Sequence, residues 1–498
     1  MRRTLTAFAL SAAAAGGLVL AGCSNGDFDL SQQYGADPVL PAPAWTLVPD
    51  LKVAEVVGWQ DGQTPTVPDG LTVTAYAGDL ANPRTVHTLP NGDVLVVQSK
   101  APPGKPLNRP KDIIRGFIMG LAAGDGGKET NLITLLRDTD RDGQVDERHD
   151  LLTGLNSPFG VAWHDGTLYV AAADAILAYP YQLGQTAMDG EPSVLTPLPG
   201  GPINHHWTKD LALSPDGRFL YASVGSNSNA GERGIEAEKG RAAIWQVDRQ
   251  TGAARVFASG LRNPNGLNIH PETGELWTVV NERDELGPNL VPDYMTSVRE
   301  GGFYGWPWSY YGQHVDERVV PPRPDLVQKA ISPDYALTSH VAALGLAFTN
   351  DSAMPEAFRD GAFVGNRGSW NRNAFNGYKI IYVPFQNGRP AGMPQDVVTG
   401  FLDGDKARGR PVGLAIDGTG ALLIADDAGN TVWRVAAADG SVTPEPLPTD
   451  RVRTEGEVAP AGQAAPAGQP GDGTMPSQTD IAPAVGPEDG ATPPAGAN

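Results

Sequence analysis

Cysteine and basic side chains are scarce in this sequence, and each scarcity excludes a class of protein. The 498 residues include one cysteine, Cys23, so no disulfide can form within the chain. A domain of this size must then rely on its apolar core and on bound ions. Lysine and arginine number 37 against 57 acidic residues, which gives a net charge of −20. This excess of acid argues against a nucleic acid partner, because phosphate binding requires a basic face.

The two ends of the chain lack the composition of a folded domain. Residues 439–498 are rich in proline, alanine and glycine and contain no aromatic side chain. They cannot bury enough apolar surface to order themselves, so a disordered tail is predicted. Residues 23–65 are predicted to be a linker with some local structure. The folded domain is therefore expected to span residues 66–438.

The first residues predict export. Arg2 and Arg3 precede an apolar stretch from Leu5 to Leu20, followed by Ala21-Gly22-Cys23. A basic region, an apolar region and small residues in this order are typical of a signal peptide rather than of a spanning helix. Leu-Ala-Gly-Cys resembles the bacterial lipobox, which implies that residues 1–22 are a lipoprotein signal and that Cys23 is acylated. The chain is then expected to be lipid-anchored on the extracytoplasmic, periplasmic side of a bacterial membrane; a plain secretory signal is the alternative.

One short phrase recurs six times: an apolar stretch, a turn with glycine, and a second apolar stretch. The turns are Asn91-Gly92, Asp165-Gly166, Asp216-Gly217, Thr273-Gly274, Asp360-Gly361 and Thr419-Gly420. Asn-Gly and Asp-Gly between apolar stretches are strong hairpin signals. The recurrence, at intervals of roughly 50–90 residues, predicts an all-β fold, a six-bladed β-propeller with four-stranded antiparallel blades. A pair of β-sandwiches is the alternative.

Histidine, arginine and asparagine recur near the ends of the predicted blades. His205-His206 precede the third repeat, Arg262-Asn263 the fourth, and Arg408 and Arg410 the sixth, while Asn371-Arg372 follow the fifth. Loops from all blades of a propeller converge at one end, so these side chains are predicted to meet. In an acidic protein they would form a positive well for a small polyanion, since arginine pairs with carboxylates in a bidentate way.

Taken together, the motifs resemble the glucose/sorbosone dehydrogenase family, and within it the sorbosone-dehydrogenase-like proteins. The resemblance extends from Asp69 to Val435 and is carried by His205 to Lys209, Gly225 to Asn229, Gly260 to Gly266, Val280 to Gly287, Pro292 to Tyr294, Gly302 to Pro307, Gly368 to Arg372, Gly377 to Lys379, Gly409 to Gly413 and Asp426-Asp427. It implies a six-bladed propeller that holds pyrroloquinoline quinone (PQQ) and calcium.

The resemblance also implies roles for single residues. His206 matches the general base that takes the substrate hydroxyl proton while hydride leaves for the quinone. Arg262 and Asn263 match residues beside the cofactor carbonyls, where Arg262 would stabilise negative charge on the reduced quinone. Arg408 and Arg410 match the pair that grips the cofactor carboxylates.

Further roles are implied at less regular positions. Asn371 or Arg372 stands where the family often has a lysine, and Lys209 and His340 are additional candidates near the base. The main-chain carbonyls of Arg283 and Asp284 are expected to hold the catalytic calcium, a Lewis acid on the quinone carbonyl.

Two positions depart from the glucose-oxidising members of the family. Ser226 replaces an aspartate that supports the catalytic histidine, and a sugar-binding glutamine is replaced near Asn156. The substrate therefore does not follow from the glucose enzymes.

A separate acidic loop fits the first nine positions of an EF-hand-type calcium loop. Its candidate ligands are Asp138, Asp140, Asp142, Gln144 and Asp146. Alternate carboxylates on one side of a tight turn suit an oxygen cage, so the loop is a candidate site for a structural calcium. The twelfth position is His149 rather than glutamate, and a solvated hairpin is the alternative. In the insertion before this loop, the apolar run 113–123 is predicted to be a short helix or lid.

The sequence thus predicts a PQQ- and calcium-dependent enzyme that oxidises an aldose or sugar aldehyde and passes electrons to an external quinone or cytochrome. One alternative is a calcium-dependent propeller lactonase, which would need side-chain carboxylate ligands but no arginine cradle. The other is a non-catalytic propeller that binds carbohydrate or a protein.

Overall fold

The computed structural model describes residues 28–44, 51–102, 130–188, 190–350 and 352–438, and the regular secondary structure in these ranges is nearly all β-strand. Within these ranges the helices are α1 (Pro324–Val327) and the 3-10 turns Leu30–Gln33, Ile235–Glu238 and Glu356–Phe358. The all-β prediction is confirmed. No helix in these ranges is long and apolar enough to cross a membrane. The signal peptide with Cys23, the run 113–123 and the tail lie outside the described residues.

The segment before the first long strand packs against the domain. β1 (Tyr34–Gly35) pairs with Leu337 and Ala336, and β2 (Glu55–Val56) runs parallel to residues 406–407. Gln33 is fully buried and donates to the Asn289 carbonyl at 2.6 Å. Residues 28–44 and 51–65, predicted as a linker with some local structure, thus include a strap held by strand pairs and buried hydrogen bonds.

Six antiparallel meanders form the body, and each contributes four strands to one sheet. β3 (Leu71–Ala77) is the first strand in the chain to belong to a meander, and it completes the sixth meander. The first meander contains β4 (Pro83–Thr88), β5 (Val94–Gln98), β6 (Leu132–Arg137) and β7 (Glu147–Leu152). The second contains β8 (Val161–His164), β9 (Thr167–Ala171), β10 (Ala175–Pro180) and β11 (Ser193–Pro197), and the third contains β12 (Leu211–Leu213), β13 (Phe219–Val224), β14 (Ala243–Asp248) and β15 (Ala254–Ser259).

The last three meanders carry short additions. The fourth contains β16 (Pro264–Ile269), β17 (Leu276–Val280) and β18 (Pro292–Ser297), then the hairpin β19 (Ser309–Tyr310) and β20 (His314–Val315), and then β21 (Tyr335–Ser339). The fifth contains β22 (Ala343–Phe348), β23 (Gly361–Asn366), β24 (Lys379–Gln386), β25 (Arg389–Pro390) and β26 (Gln395–Val398). The sixth follows the hairpin β27 (Leu402–Asp403) and β28 (Lys406–Ala407) and contains β29 (Pro411–Ile416), β30 (Leu422–Asp426) and β31 (Thr431–Ala437).

The meanders surround a central cavity of about 530 Å³, lined by residues of the six first strands β4, β8, β12, β16, β22 and β29. This arrangement is a β-propeller. The ring is closed by β3, which pairs with β31 and joins Leu71 to Ala437. Each predicted glycine turn connects the first and second strands of one meander. At five of these turns glycine has positive φ, for example 93° at Gly92, a conformation that side chains disfavour.

Candidate functional site

The predicted site residues lie in loops that enter first strands or leave second strands. Because first and second strands are antiparallel and joined by the glycine turns, these loops share the opposite end of the propeller. We call this the site end.

His206 enters β12 from the site end, and the neighbouring second strand fixes its ring. Nδ1 lies 2.9 Å from the Ser226 hydroxyl and 3.0 Å from the Ser226 carbonyl oxygen. The Ser226 hydroxyl donates its own proton to the Ser228 carbonyl at 2.7 Å. Since that proton is used, Nδ1 is the donor to Ser226, and Nε2 is the basic nitrogen of the ring. Ser226, which replaces the supporting aspartate of the glucose-oxidising members, therefore does contact His206.

A buried glutamate holds the loop that follows Ser226. Glu238 accepts a hydrogen bond from the Asn227 main-chain N–H at 2.6 Å and another from the Ser228 hydroxyl. Burial raises the pKa of Glu238 above its usual value. Glu238 therefore orients Ser228, whose carbonyl in turn orients Ser226. Glu238 carries no motif in the sequence, because it stands at the end of the short 3-10 turn Ile235–Glu238.

Two buried basic side chains hold the main chain of the His206 loop through hydrogen bonds. Arg241 donates to the carbonyls of Gly225 at 3.0 Å and His206 at 3.3 Å. Lys209 is fully buried and donates to the Trp207 carbonyl at 2.9 Å. Burial lowers the pKa of Arg241 to about 10 and that of Lys209 well below its usual value. Lys209 thus supports the loop rather than offering a charge to a cofactor, and Arg241 is a further residue that the sequence analysis missed.

Asn263 lies beside His206, and the contact depends on a glycine. A Cβ on Gly225 would come within 2.5 Å of both Asn263 Oδ1 and His206 Cβ. Asn263 Oδ1 is buried and has no hydrogen-bond partner among the described residues. A buried acceptor without a donor is costly, so this oxygen is suited to a bound polar group.

Arg262 is occupied by hydrogen bonds to other groups of the protein. Its guanidinium, 2% exposed, makes five hydrogen bonds, to the main-chain carbonyls of Asn229, Asn281 and Glu282 and to the side chains of Asn229 and Asp284. These bonds use all five N–H groups. In this arrangement Arg262 organises the loop after β17.

Arginines do come together at the site end, but of the arginines predicted to meet there only Arg410 is among them. Arg367 Nε lies 2.7 Å from Asp427 Oδ2, and Arg84 pairs with the same oxygen. Arg410 is the third cation of this set and attracts the same carboxylate. Asp427 is 2% exposed. Two guanidinium groups thus pair with one carboxylate and the third acts on its charge, and Arg84, Arg367 and Arg410 with Asp427 are called the arginine cluster.

The arginine cluster lies next to the His206 loop, because Arg84 approaches the ring of Trp207. The Arg84 guanidinium lies 5.9 Å from the centre of the Trp207 ring, directly after His206 in the chain. Burial lowers the pKa of Arg84 to about 10, and its Nε has no hydrogen-bond partner among the described residues. The sequence does carry a pattern that points to Arg84. Like Arg262 and Arg410, it stands within two residues of a proline that begins the first strand of a meander.

The structure corrects the interpretation of Arg408. Its guanidinium pairs with the exposed Asp403 at 2.6 Å on the β27–β28 hairpin, so it does not join Arg410 in the arginine cluster. Arg372 is buried and donates to the Pro288 carbonyl at 2.5 Å and to the Ser339 hydroxyl at 2.6 Å. Burial lowers the Arg372 pKa to about 10. Asn371 is also buried.

The carbonyl of Asp284 does not fit the predicted calcium. It accepts hydrogen bonds from Arg283 Nη2 at 3.0 Å and from Asn229 Nδ2 at 2.9 Å. Arg283 is fully buried and also pairs with Asp316. A carbonyl that faces a guanidinium is a poor ligand for a second cation. The prediction that Arg283 and Asp284 together hold calcium is therefore not supported by this geometry.

Two buried acids, Glu282 and Asp293, lie close to Asp284. Burial raises the pKa of Glu282 to about 8 and that of Asp293 to about 6. Asp293 accepts a hydrogen bond from the Glu282 main-chain N–H at 2.8 Å. His340, a candidate from the sequence, has its Nδ1 3.5 Å from an oxygen of Asp284 and its Nε2 3.1 Å from the Gly287 carbonyl oxygen.

The acidic loop joins β6 to β7 at the end opposite the site. Carboxylate oxygens of Asp138, Asp140 and Asp146 lie within 4.8 Å of one another. Asp142 instead accepts hydrogen bonds from the main-chain and side-chain nitrogens of Gln144, at 2.8 and 3.1 Å. Three of the five predicted ligands therefore converge.

Comparison with known proteins bears on the family that the sequence predicts. Residues 166–369 match the model of the family described as glucose/sorbosone dehydrogenase. This match, over less than half of the chain, supports the predicted family. Residues 326–438 also match a model described as TrAA12-like.

Relatives and solved structures extend the likeness over most of the chain. A PQQ-dependent sugar dehydrogenase of Hypocrea jecorina is 24% identical over 393 residues, which cover 67% of this chain and 87% of that protein. An uncharacterised protein of Borreliella burgdorferi is 27% identical over 292 residues, 56% of this chain and 76% of that one.

Two solved structures share the fold. The calcium structure of the Trichoderma reesei family AA12 enzyme has a TM-score of 0.61 at 19% identity and covers 78% of this chain and 99% of that one. The holo PQQ domain of a Coprinopsis cinerea pyranose dehydrogenase has a TM-score of 0.59 at 18% identity, with 77% and 100% covered.

Proposed function

We propose that this six-bladed propeller is a PQQ-dependent dehydrogenase, of the sorbosone-dehydrogenase-like subgroup, that oxidises an aldose or sugar aldehyde. The observation that carries the proposal is the arginine cluster next to a histidine whose tautomer is fixed. A lactonase has no use for three converging arginines, so the cluster favours the dehydrogenase. We further propose that the chain acts on the periplasmic side of a membrane, anchored through a lipid at Cys23, and that its electrons go to an external acceptor.

The residues at the site end fit a polycarboxylate with carbonyl groups. Arg84, Arg367 and Arg410 carry three positive charges against the single charge of Asp427, which leaves a surplus for anions. Asn263 Oδ1 and Arg84 Nε are buried polar atoms without a hydrogen-bond partner among the described residues. We assign the carboxylates of PQQ to the arginine cluster, in place of the predicted pair Arg408 and Arg410. When bound, PQQ supplies a quinone that accepts two electrons as hydride.

The chain's own residues perform the proton transfer. His206 Nε2 takes the proton from the substrate hydroxyl, and Ser226 keeps Nδ1 protonated so that the basic nitrogen stays in place. Glu238, Arg241 and Lys209 position this histidine by holding the main chain on both sides of it. No step is assigned to calcium, because the Asp284 carbonyl faces a guanidinium.

The test begins with binding and proceeds to turnover. Purified protein is titrated with PQQ and followed by absorbance and calorimetry, and then assayed with a panel of aldoses and a dye acceptor. Saturable binding and sugar-dependent dye reduction are expected, and His206→Ala should keep the binding and lose the turnover. Absence of PQQ binding contradicts the proposal. For the anchor, Cys23→Ser should release the protein from the membrane fraction.

A further inference from the structure

A second cavity lies beside the third meander, outside the site described above. It has a volume of about 290 Å³ and lies between β14, β15 and the loop 301–308. Its aromatic walls are Phe257, Phe303, Trp306 and Trp308, each less than 9% exposed. Pockets for drug-sized ligands begin at about 300 Å³, so this cavity suits one small ring system.

Most of the wall is apolar and favours an apolar planar ligand over a sugar, although the charged side chains of Glu238, Lys239, Arg241 and Arg255 also line it. The indole N–H of Trp306 donates to the Asn229 carbonyl and that of Trp308 to the Pro321 carbonyl, both at 2.9 Å. Both rings therefore present carbon surface to the cavity, whereas a sugar needs several hydrogen-bond partners. The exposed Lys239 also lines the cavity and supplies a cation suited to oxygen-bearing substituents on the ligand.

One wall of the cavity is built from residues that hold the candidate site. The Asn229 carbonyl accepts hydrogen bonds from Trp306 Nε1 at 2.9 Å and from Arg262 Nε at 3.1 Å, so one oxygen separates the cavity wall from Arg262. Glu238 and Arg241, which position Ser226 and His206, line the same cavity. A ligand here lies next to the site without entering it.

We propose that this cavity binds a benzoquinone-class electron acceptor, which deepens the proposed dehydrogenase function and rests on it. Oxidation of a cyclic aldose to its lactone releases two electrons and two protons. The acceptor takes up two electrons and two protons, its two C=O groups become C–OH groups, and it leaves as the hydroquinone. The electrons cross the wall at Trp306, and the apolar ring is held between the aromatic side chains.

Binding is tested without turnover. The cofactor-free protein is titrated with 2,3-dimethoxy-5-methyl-1,4-benzoquinone while tryptophan fluorescence is recorded. Ala254 is exposed and lines the cavity, so Ala254→Trp should block it, whereas Ala253→Trp adds the same bulk at the exposed neighbour that does not line it. Saturable quenching is expected in the wild type and in A253W, and its loss in A254W. Quenching that does not saturate, or that decanol displaces with equal affinity, overturns the proposal.

Turnover then separates the acceptor from the dehydrogenase. With an aldose and PQQ, A254W should reduce phenazine methosulfate at the wild-type rate but show a KM for the benzoquinone raised at least tenfold. Unchanged quinone reduction in A254W places the acceptor elsewhere, as for a cytochrome that docks on the surface, and overturns the proposal. If the wild type reduces no dye with any aldose, the proposed function fails and the acceptor role fails with it, while the quenching result reports separately on the cavity.

Discussion

The carboxylate at the centre of the arginine cluster offers the sharpest test of the site. Asp427→Asn keeps the shape of the side chain and removes the charge that three arginines share. Removing one partner of a buried ion pair costs about 3–5 kcal/mol, because the remaining charge is left uncompensated. We therefore expect the free energy of unfolding to fall by about that amount at neutral pH, measured by urea denaturation with tryptophan fluorescence.

The matched control is Asp403→Asn, which removes the exposed partner of Arg408. Exposed pairs contribute about 0–1 kcal/mol, so this variant should unfold almost like the wild type. Equal losses in the two variants would refute the assignment of Arg84, Arg367 and Arg410 to one buried cluster. Millimolar citrate or PQQ should restore part of the lost stability in D427N, because either anion replaces the missing charge.

The pH dependence of this difference has a definite sign. Burial alone would raise the pKa of Asp427, but Arg367, Arg84 and Arg410 outweigh it and hold the pKa below the usual 3.8. A depressed pKa contributes stability above the unfolded value, and that stability is lost as the pH falls through the folded value. The gap between wild type and D427N should therefore be full above pH 4 and shrink below it.

Three further predictions address the remaining assignments. Ser226→Ala removes one neutral hydrogen bond from His206 Nδ1, which is worth about 0.5–1.5 kcal/mol. The kcat/KM for the sugar should therefore fall by roughly two- to tenfold, while the affinity for PQQ is unchanged. A larger loss of kcat/KM would show that the hydroxyl does more than orient the ring. Arg410→Lys should weaken PQQ binding in calorimetry by about tenfold or more, since lysine cannot pair in a bidentate way, whereas Arg408→Lys should bind like the wild type. Calcium should raise the Tm in differential scanning calorimetry, and Asp140→Asn should abolish that rise without affecting PQQ binding; no rise in the wild type would favour a solvated hairpin.

The fold was readable from the sequence because its signals are local. Each glycine turn is specified by two adjacent residues and connects two strands that are adjacent in the sheet. The closure of the ring was less visible, since β3 and β31 lie more than 350 residues apart and pair only because the other meanders bring them together. The strap, with Gln33 buried against Asn289, was missed for the same reason.

The site was readable only in part. His206 and Ser226 were found because the resemblance to the family matches them to a catalytic histidine and to the residue that supports it. The arginines were not separable by motif, because Arg410 in the cluster and Arg408 on a surface hairpin stand two residues apart. Whether a guanidinium is available depends on which oxygens surround it, and for Arg262 and Arg372 most of those oxygens belong to loops that are distant in the sequence. Such partners have no sequence signature.

The pairing of β3 with β31 has a consequence for how the protein is made. The first long strand to leave the ribosome finds its hydrogen-bond partner only when the last strand has been synthesised, so the ring stays open throughout synthesis. A stop codon before Thr431 would leave β3 and β30 with unpaired edges, which are templates for aggregation. A stop codon after residue 438 keeps every strand of the ring. Seven residues near the end of the domain thus decide between a closed ring and one with two open edges.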